Sequence, residues 1–508
     1  MKKNILYTFL LALALNVSSC LDKYPENAIL ADDAITTIDE ADQAVIGIYS
    51  SFLSGALYSG YLTLLPDIQT DLVYAVNGYT NTYGDIWRWN DILATNSQIE
   101  SVYAALYTVI GRCNFLLDNS ENMRKKMTDD DALDRLDVYC GEAYFARALA
   151  YSELIKQFCK AYESDADAQN ELGVVLRTHY YSDEPIKRAS LYDSYQQVLS
   201  DLELAEKALA LGDDYDIAVD GYMYNSTYFN EYTVCALRAR IALYMKKYDE
   251  AIKYSTKVID SGHYFLSSAT QLYDSQYSYY QYMWTSDNST EVIWKIGFTS
   301  TSYGGALGQV FFNYDYNSMK PDYVPAQWVL SLYDSNDLRY STFFQTFTTG
   351  HTHGLTWPLL AKYWGNEGLY NEAQLLHVSM PKVFRLSEQY LIRAEAYVMN
   401  EDFAKAGKDI TTLRKARYST YGTSTAISKD NAMKIVEEER VKELFMEGFR
   451  LMDLKRWHKG FERTPQEQSL ENGSSLVVEK DDPLFVWPIP QHEIESPGAE
   501  IEPNESNK

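Results

Sequence analysis

Two segments of the chain mix flat aromatic side chains with short polar ones. Residues 67–90 and 277–288 combine Tyr and Trp with Asp, Asn, Gln or Arg, and residues 312–317 repeat the mixture more weakly. A sugar presents apolar C–H faces and a rim of hydroxyls, so rigid rings beside amide and carboxylate groups suit its capture. For each ring the alternative is that it packs its loop onto a scaffold. The candidate ligand-binding residues are Asp67, Tyr74, Asn77, Tyr83, Trp87, Trp89, Asn90, Tyr280, Tyr282, Trp284 and Tyr314.

Catalytic and metal-binding patterns are sparse in the sequence. His351 and His353 could ligate a metal, but no further ligand stands at helical spacing, so an exposed loop pair is expected. The acidic run at 213–216 could hold Ca²⁺ with Asp220, but Ala218 occupies one ligand position, which favours a solvated loop. The sequence contains no GxSxG, HExxH or phosphate-loop motif. We therefore expect no enzyme, catalytic residue, metal or cofactor; structural Ca²⁺ and a carboxylate pair for glycoside hydrolysis stay open as alternatives.

The charge balance of the chain excludes whole classes of partner. Lys and Arg total 45 and Asp and Glu 71, a formal net charge of −26, and such a surface repels the phosphates of nucleic acids. The length of 508 residues allows two to four domains or one large one. Five Cys without a CxxC pair do not form a disulfide framework or a zinc site. Cys113, Cys140 and Cys235 stand among apolar neighbours and are expected to be small buried hydrophobes.

The N-terminus has the pattern of a bacterial lipoprotein signal. Two Lys precede an apolar stretch at 5–15, which is shorter than the roughly 20 residues that span a bilayer. Small residues then lead to Cys20. We expect cleavage after residue 19 and lipid on Cys20, which would anchor the protein without a transmembrane helix. The alternative is an ordinary cleaved signal followed by a chance Cys.

Helical periodicity and an internal repeat dominate the rest of the chain. Three segments align through Ala146, Ala239 and Ala394, and in the second and third another Ala follows twelve residues later. Small residues at this spacing let two antiparallel helices approach closely, as in tetratricopeptide-like pairs. The predicted pairs are 230–262, 383–417, 139–158 with 191–211, and 39–54 with 98–118. Long Tyr- and Gly-rich inserts at about 55–97, 160–190, 263–328 and 340–380 separate them, and loops of such length are usually functional.

Two further elements are predicted in the C-terminal half. Residues 292–296 alternate like a buried strand, which places Trp294 in the core. Apolar residues recur from 441 to 452 at the spacing of one helix face, so a single helix is expected there. On that helix Glu447 with Arg450, and Asp453 with Arg456, stand three apart and could form structural ion pairs.

The same region carries a family resemblance. Residues 439–457, ERVKELFMEGFRLMDLKRW, resemble a signature of the SusD/RagB family, and residues 487–494, WPIPQHEI, resemble its C-terminal motif. Residues 385–396, RLSEQYLIRAEA, the KY at 362–363, the RCN at 112–114 and the CLDKYP at 20–25 match further family segments in order. Two departures are Val441, in place of a family Arg, and a degraded tail at 502–505.

The resemblance implies a mostly α fold, a tetratricopeptide-like helical scaffold with long irregular insertions and a few short strands. It also implies a lipid-anchored outer-membrane protein, facing the cell exterior, that captures a nutrient, most often a glycan, for a SusC-like TonB-dependent barrel. We expect a signal at 1–19, an N-terminal helical region at 20–262 and a C-terminal region at 263–508. Two alternatives are a scaffold that binds only protein and a surface glycoside hydrolase; the Tyr- and Trp-rich inserts disfavour the scaffold.

Overall fold

The computed structural model describes residues 34–76, 82–90, 92–210, 219–220, 223–224, 226–315, 318–319, 321–348, 356–422, 425–463 and 475–507. Nine helices of twelve or more residues lie within these ranges: α1 (Ile38–Ser51), α2 (Ser97–Lys126), α3 (Asp130–Phe158), α4 (Leu191–Leu209), α5 (Glu231–Tyr244), α6 (Tyr248–Ile259), α7 (Leu386–Met399), α8 (Phe403–Arg417) and α9 (Ala432–Glu443). None of the helices in these ranges combines the length and apolar character that crossing a membrane requires.

Six of the nine long helices begin where a polar side chain accepts a hydrogen bond from a free backbone N–H group of the first turn. Thr37 and Glu40 form a capping box at the start of α1. Asn96 accepts hydrogen bonds from two backbone N–H groups of α2, and Asp129 accepts one from Asp131 at the start of α3. These caps explain why each helix begins where it does, at the edge of an insert.

The predicted helix pairs are confirmed. Helices α1 and α2, α3 and α4, α5 and α6, and α7 and α8 pack against each other, and α6 packs against α7, so that the last two pairs are continuous. The alanines of the repeat (Ala146, Ala239, Ala251, Ala394 and Ala406) have no exposed surface. Because each lacks a side chain beyond Cβ, the paired helices approach closely at these points. The buried, unpaired state of Cys113, Cys140 and Cys235 is confirmed as well.

The inserts contain short strands and short helices. Antiparallel strand pairs join Val73–Ala75 with Tyr323–Pro325, Leu172–Val175 with Arg188–Ser190, Val219–Asp220 with Met223–Tyr224, Val292–Lys295 with Lys382–Arg385, Tyr314–Asp315 with Ser318–Met319, Phe344–Thr348 with Thr356–Leu360, and Phe461–Arg463 with Leu476–Val478. The short helices are Tyr61–Ile68, Gly84–Arg88, Asp165–Ala168, Tyr279–Thr285, Gln309–Phe312, Gln327–Leu330, Arg339–Phe343, Glu367–Ala373, Arg450–Arg456 and Gln491–Ile494, with 3-10 turns at Ala361–Tyr363, Pro483–Phe485 and Glu505–Asn507.

Two large apolar clusters hold this arrangement together. The first fills the space among the helix pairs and includes Trp294, whose predicted place in a buried strand is confirmed. The second lies under the inserts, between the strand pairs and the end of α9. The inserts are therefore packed against the helical scaffold through a core of their own, and they can hold side chains in defined positions.

The single helix predicted over 441–452 is wrong. Helix α9 ends at Glu443, and a separate helix begins at Arg450. Between them Met446 has φ +59° and Gly448 has φ +83°, a left-handed backbone that turns the chain sharply. A Cβ on Gly448 would also lie 3.1 Å from the carbonyl oxygen of Leu62. The break brings the charged residues of the segment into the interior.

A buried network, which we call the central ion-pair cluster, joins Glu443 and Glu447 of this segment to distant charged side chains. Its other members are Glu291, Arg339, Arg385 and Arg417. Glu447 pairs with Arg385 and Lys362 instead of Arg450, so that predicted pair is wrong. The Asp453–Arg456 pair is confirmed at 2.8 Å. Because the charges come from separate inserts and from α8 and α9, the cluster joins the inserts to the scaffold.

Candidate functional site

A cleft of 670 Å³ opens where the inserts at 55–97 and 263–328 meet the first turns of α2. Hydroxyl, amide, carboxylate and aromatic groups alternate along its walls. Among the described residues, it is lined by Ser54, Gly55, Ala56, Ser59, Gly60, Tyr61, Leu64, Thr82, Tyr83, Ser101, Ala104, Gly305, Ala306, Gln309, Val310, Asn313 and Asp322. Its volume exceeds those of three other cavities lined by described residues, and it is the candidate site.

Two tyrosine rings form the aromatic wall of the cleft. The ring centroids of Tyr61 and Tyr83 lie 5.7 Å apart with an interplanar angle of 80°. Both side chains are half-buried, and burial, followed by the nearby Tyr61 and Asp322, raises the pKa of Tyr83 to about 12. The Tyr83 hydroxyl therefore stays protonated at neutral pH and can donate a hydrogen bond. An edge-to-face pair of this kind offers a flat ring face together with a polar tip.

Buried groups beneath the cleft fix the position of Tyr83. Tyr83 has φ +61° and directly precedes the short helix Gly84–Arg88, which Trp87 anchors. Trp87 is 1% exposed; its Nε1 donates to the carbonyl oxygen of Val73 at 3.1 Å, and its ring packs edge-on against Tyr74. The guanidinium carbon of Arg463 lies 4.4 Å from the Trp87 ring centroid. Trp87 is thus a positioning residue for Tyr83.

The polar wall of the cleft consists of Gln309, Asn313 and Asp322, and main-chain hydrogen bonds fix the position of Asp322. Asp322 is 2% exposed, its carboxylate accepts a hydrogen bond from Asn313 Nδ2 at 2.7 Å, and its backbone bonds to Val76 and Val310. Gln309 begins the short helix that precedes Asn313. The amide side chains of Gln309 and Asn313 are accessible and can exchange hydrogen bonds with hydroxyl groups of a ligand, while the buried Asp322 orients Asn313.

Glycine backbone forms part of the cleft floor. A Cβ on Gly60 would lie 2.1 Å from the carbonyl oxygen of Gly55, and one on Gly305 would lie 2.6 Å from that of Ser59. The backbone N–H of Gly305 donates to Ser59 Oγ at 2.9 Å. Side chains are excluded at these two points, so the segments of the cleft floor can pack backbone against backbone.

Of the predicted binding residues in the first segment that the structure describes, only Tyr83 lines the cleft. Asp67, Tyr74, Trp87 and Trp89 are buried in the core. Asp67 accepts hydrogen bonds from the backbone N–H groups of Gly448 and Arg450, both at 2.9 Å, and burial raises its pKa to about 7. The three buried rings have no face to offer a sugar, and the buried Asp67 carboxylate is engaged by the main chain. We therefore do not include these four residues in the proposed site.

The second predicted segment lies against the central ion-pair cluster. Trp284 is 5% exposed, and Lys362 Nζ and Lys382 Nζ lie 4.3 Å and 4.6 Å from its ring centroid. Tyr280 is fully buried, with the guanidinium carbon of Arg417 4.0 Å from its ring centroid. These rings shield buried cations. Tyr282 is half-buried and stacks on Tyr273 with ring centroids 3.6 Å apart, outside the cleft.

The remaining predicted residues fall outside the cleft or outside the described ranges. Asn90 is exposed and does not line the cleft. Asn77, the side chain of Tyr314, His351, His353 and the acidic run at 213–216 lie outside the described part of the chain. Within that part, no group of three or more His, Cys, Asp or Glu side chains is arranged to hold a metal ion.

Sequence reasoning missed several residues that line the cleft. Tyr61, Gln309 and Asp322 stand in ordinary apolar or turn contexts and carry no local signal. Asn313 belongs to the weak third segment at 312–317, the one pattern that pointed to this wall. These residues come together because the strand Tyr323–Pro325 pairs with Val73–Ala75, a contact between inserts some 250 positions apart.

Comparison with known proteins agrees with this architecture. Residues 355–499 match the model of the SusD family, and residues 21–243 match a SusD-like family described as starch-binding and associating with the outer membrane. SusD-like protein P38 of Formosa agariphila is 24% identical over 91% of this chain and 92% of that protein. The chain belongs to the SusD/RagB family. Its match to the second family supports carbohydrate binding and outer-membrane association.

Solved structures share the fold. A SusD superfamily protein from Bacteroides thetaiotaomicron superposes with a TM-score of 0.76 at 24% identity, covering 92% of this chain and 99% of that one. A SusD-like carbohydrate binding protein from Bacteroides vulgatus gives 0.71 at 17% identity, over 92% and 98% of the two chains. Surface glycan-binding protein A from Bacteroides fluxus gives 0.66 at 19% identity, over 93% and 100%. The predicted mostly helical SusD-like fold is confirmed.

Proposed function

We propose that this protein is a cell-surface lipoprotein that binds an oligosaccharide or polysaccharide in the cleft and delivers it to a SusC-like TonB-dependent transporter. The observation that carries the proposal is the cleft itself, which the Tyr61–Tyr83 pair lines together with the amide side chains of Gln309 and Asn313. A sugar ring can lie against the tyrosine rings while its hydroxyls exchange hydrogen bonds with the amide groups.

The anchoring and partner parts of the proposal rest on the family and on the N-terminal pattern. Cys20, after the signal at 1–19, is the site at which we propose lipid attachment to the outer membrane. Two proteins with this fold are described as binding carbohydrate or surface glycan, which supports the same class of ligand here. The net charge of −26 disfavours nucleic acid as a ligand.

The test is binding of the soluble body, residues 21–508, to amylopectin, xylan, mannan, arabinan, galactan and laminarin by affinity electrophoresis, followed by calorimetry on any hit. Tyr83→Ala should lower the affinity for the bound glycan at least tenfold, because it removes one of the two rings of the aromatic wall. Tyr370→Ala is the control, since this tyrosine is 44% exposed and is not among the residues that line the cleft. Equal affinities for the two variants would refute the proposed site.

Two competing functions make different predictions. A glycoside hydrolase needs two carboxyl groups across the scissile bond, and of the described residues lining the cleft only Asp322 supplies one. Release of reducing sugar from a bound glycan would favour hydrolysis over capture. A pure protein-interaction scaffold would bind none of the glycans in the absence of its partner.

A further inference from the structure

The insert between α3 and α4 contains a loop, residues 177–181, that is fastened to the scaffold. Tyr151 of α3 donates its hydroxyl proton to the carbonyl oxygen of Arg177 and accepts from the Arg177 backbone N–H, both at 2.7 Å. Asn114 Nδ2 of α2 donates to the carbonyl oxygens of Arg177 and His179, at 2.8 Å and 3.3 Å. The conformation of this loop is therefore set by buried partners rather than by solvent.

The far end of the loop is held by one carboxylate of α2. Asp118 accepts from the backbone N–H of Tyr180 at 2.7 Å, and its other oxygen lies 2.9 Å from His179 Nδ1. Arg147 of α3, which is itself paired with Asp201, donates to the carbonyl oxygen of Thr178 at 3.2 Å. The backbone that leads into the two tyrosines, from Arg177 to the N–H of Tyr180, is thus fixed.

This fixed loop presents two tyrosine rings to solvent. Tyr180 is 45% exposed and Tyr181 is 74% exposed. The rings of Phe115, Tyr180 and Tyr181 form an edge-to-face row with centroid separations of 5.1 Å and 4.8 Å, which we call the tyrosine platform. Rings held rigidly at the surface lose little entropy when they bind a ligand, whereas a packing role would bury them.

Polar groups surround the platform in a cavity of 410 Å³, lined by Phe115, Asp118, Asn119, Glu121, Asn122, His179, Tyr180 and Tyr181. The combination of ring faces with carboxylate, amide and imidazole groups is the combination that sugar binding requires. We propose that the tyrosine platform is a second carbohydrate-binding site, separate from the cleft, that holds another part of the same polysaccharide. This inference rests on the proposed function.

Helix α2 connects the two sites directly. Ser101 and Ala104 line the cleft, and Phe115, Asp118 and Asn122 line the platform cavity. At 3.6 residues per turn these positions fall on one side of the helix, and the rise of about 1.5 Å per residue separates Ala104 from Asp118 by about 21 Å.

The surface between the two sites is open and bears small side chains. Thr108 is exposed, Gly111 is half-buried, and a Cβ added at Gly111 would meet no atom within 4 Å. A polysaccharide can therefore lie along this side of α2 and reach both sites. Simultaneous binding at two linked sites raises the overall affinity by about 10²–10⁴ over one site, so the protein should prefer long chains to short fragments.

The experiment compares the polysaccharide of the panel that the wild type retains most strongly with the trisaccharide of the same glycan, by calorimetry. Tyr181→Ala should lower polysaccharide affinity at least tenfold and leave trisaccharide binding in the cleft unchanged. Tyr83→Ala should lower both affinities. Thr108→Arg, which places a long side chain between the sites, should reduce only the polysaccharide affinity. Tyr370→Ala is the control. The variants of Tyr181, Thr108 and Tyr370 should keep the wild-type melting temperature because these side chains are exposed.

Each outcome decides the inference. Unchanged polysaccharide affinity in Tyr181→Ala would overturn the second carbohydrate site and leave the exposed rings to a protein partner, while the cleft would stand on the effect of Tyr83→Ala. Equal losses of polysaccharide and trisaccharide affinity in Tyr181→Ala would overturn the two-site arrangement. If the wild type binds no polysaccharide at all, the proposed function and this inference fail together.

Discussion

Replacing Glu443 by Gln removes one negative charge from the central ion-pair cluster with little change in side-chain shape. Glu443 has no exposed surface, and its carboxylate accepts hydrogen bonds from Arg385 and Arg417, each at 2.9 Å, and from Arg339 at 3.1 Å. Burial opposes ionisation of Glu443, but the guanidinium groups of Arg417 and Arg385 overcome it and hold the pKa of this carboxyl well below its usual value. The group is therefore charged in the folded protein at neutral pH.

The magnitude follows from the partners that remain. Removing one partner of a buried ion pair costs about 3–5 kcal/mol, because the other charge is left uncompensated. Glu291 still pairs with Arg385 at 3.0 Å and with Arg417 at 2.7 Å, so we expect a loss near the lower end, about 3 kcal/mol. With an unfolding entropy of about 2.1 cal/mol/K per residue, a body of roughly 480 residues melts about 3 °C lower for that loss.

The assay measures the melting temperatures of the wild type and of Glu443→Gln at pH 7 by scanning calorimetry. Glu203→Gln is the control, because Glu203 forms an exposed pair with Lys207 four residues later on α4. Such a surface pair contributes about 0.3–0.5 kcal/mol, which corresponds to less than one degree. If Glu443→Gln melts within a degree of Glu203→Gln, the cluster does not stabilise the fold as argued.

Three other predictions follow from the same structure. Trp87→Ala should lower both stability, by about 3–5 kcal/mol, and glycan affinity, because the ring is buried and positions Tyr83; denaturant unfolding beside calorimetry checks this, and lost affinity with wild-type stability would contradict it. Burial raises the pKa of Glu142 to about 8, against 4.5 for the unfolded chain, so the wild type should lose stability relative to Glu142→Gln as pH rises from about 4.5 to about 8; melting temperatures across that range test the sign. Cys20→Ala should abolish labelling by radioactive fatty acid and release the protein from membranes, and a variant that still fractionates with membranes would refute the lipid anchor.

The helical scaffold could be predicted from the sequence because its determinants are local. Apolar spacing, the repeated Ala146, Ala239 and Ala394, and polar residues at helix starts all act within a few turns of one another. The division at residue 262 into two regions stays a prediction. The prediction of one helix over 441–452 is wrong for the opposite reason. The apolar periodicity is present, but residues distant in sequence, such as Lys362 and Asp67, stabilise the sharp turn through Met446 and Gly448.

Composition indicated an aromatic, polar site, and only the tertiary structure decided which rings belong to it. Trp87 and Trp284 stand in the same kind of sequence context as Tyr83, among other aromatic and polar residues. In the structure Trp87 is buried beneath Tyr83, and Trp284 lies among buried cations. Exposure of a ring depends on which other inserts cover it, and that depends on strand pairing between residues some 250 positions apart. Tyr180 and Tyr181 remain exposed because hydrogen bonds from α2 and α3 hold their loop at the surface. Local patterns thus determined the helices, and long-range packing determined the binding surface.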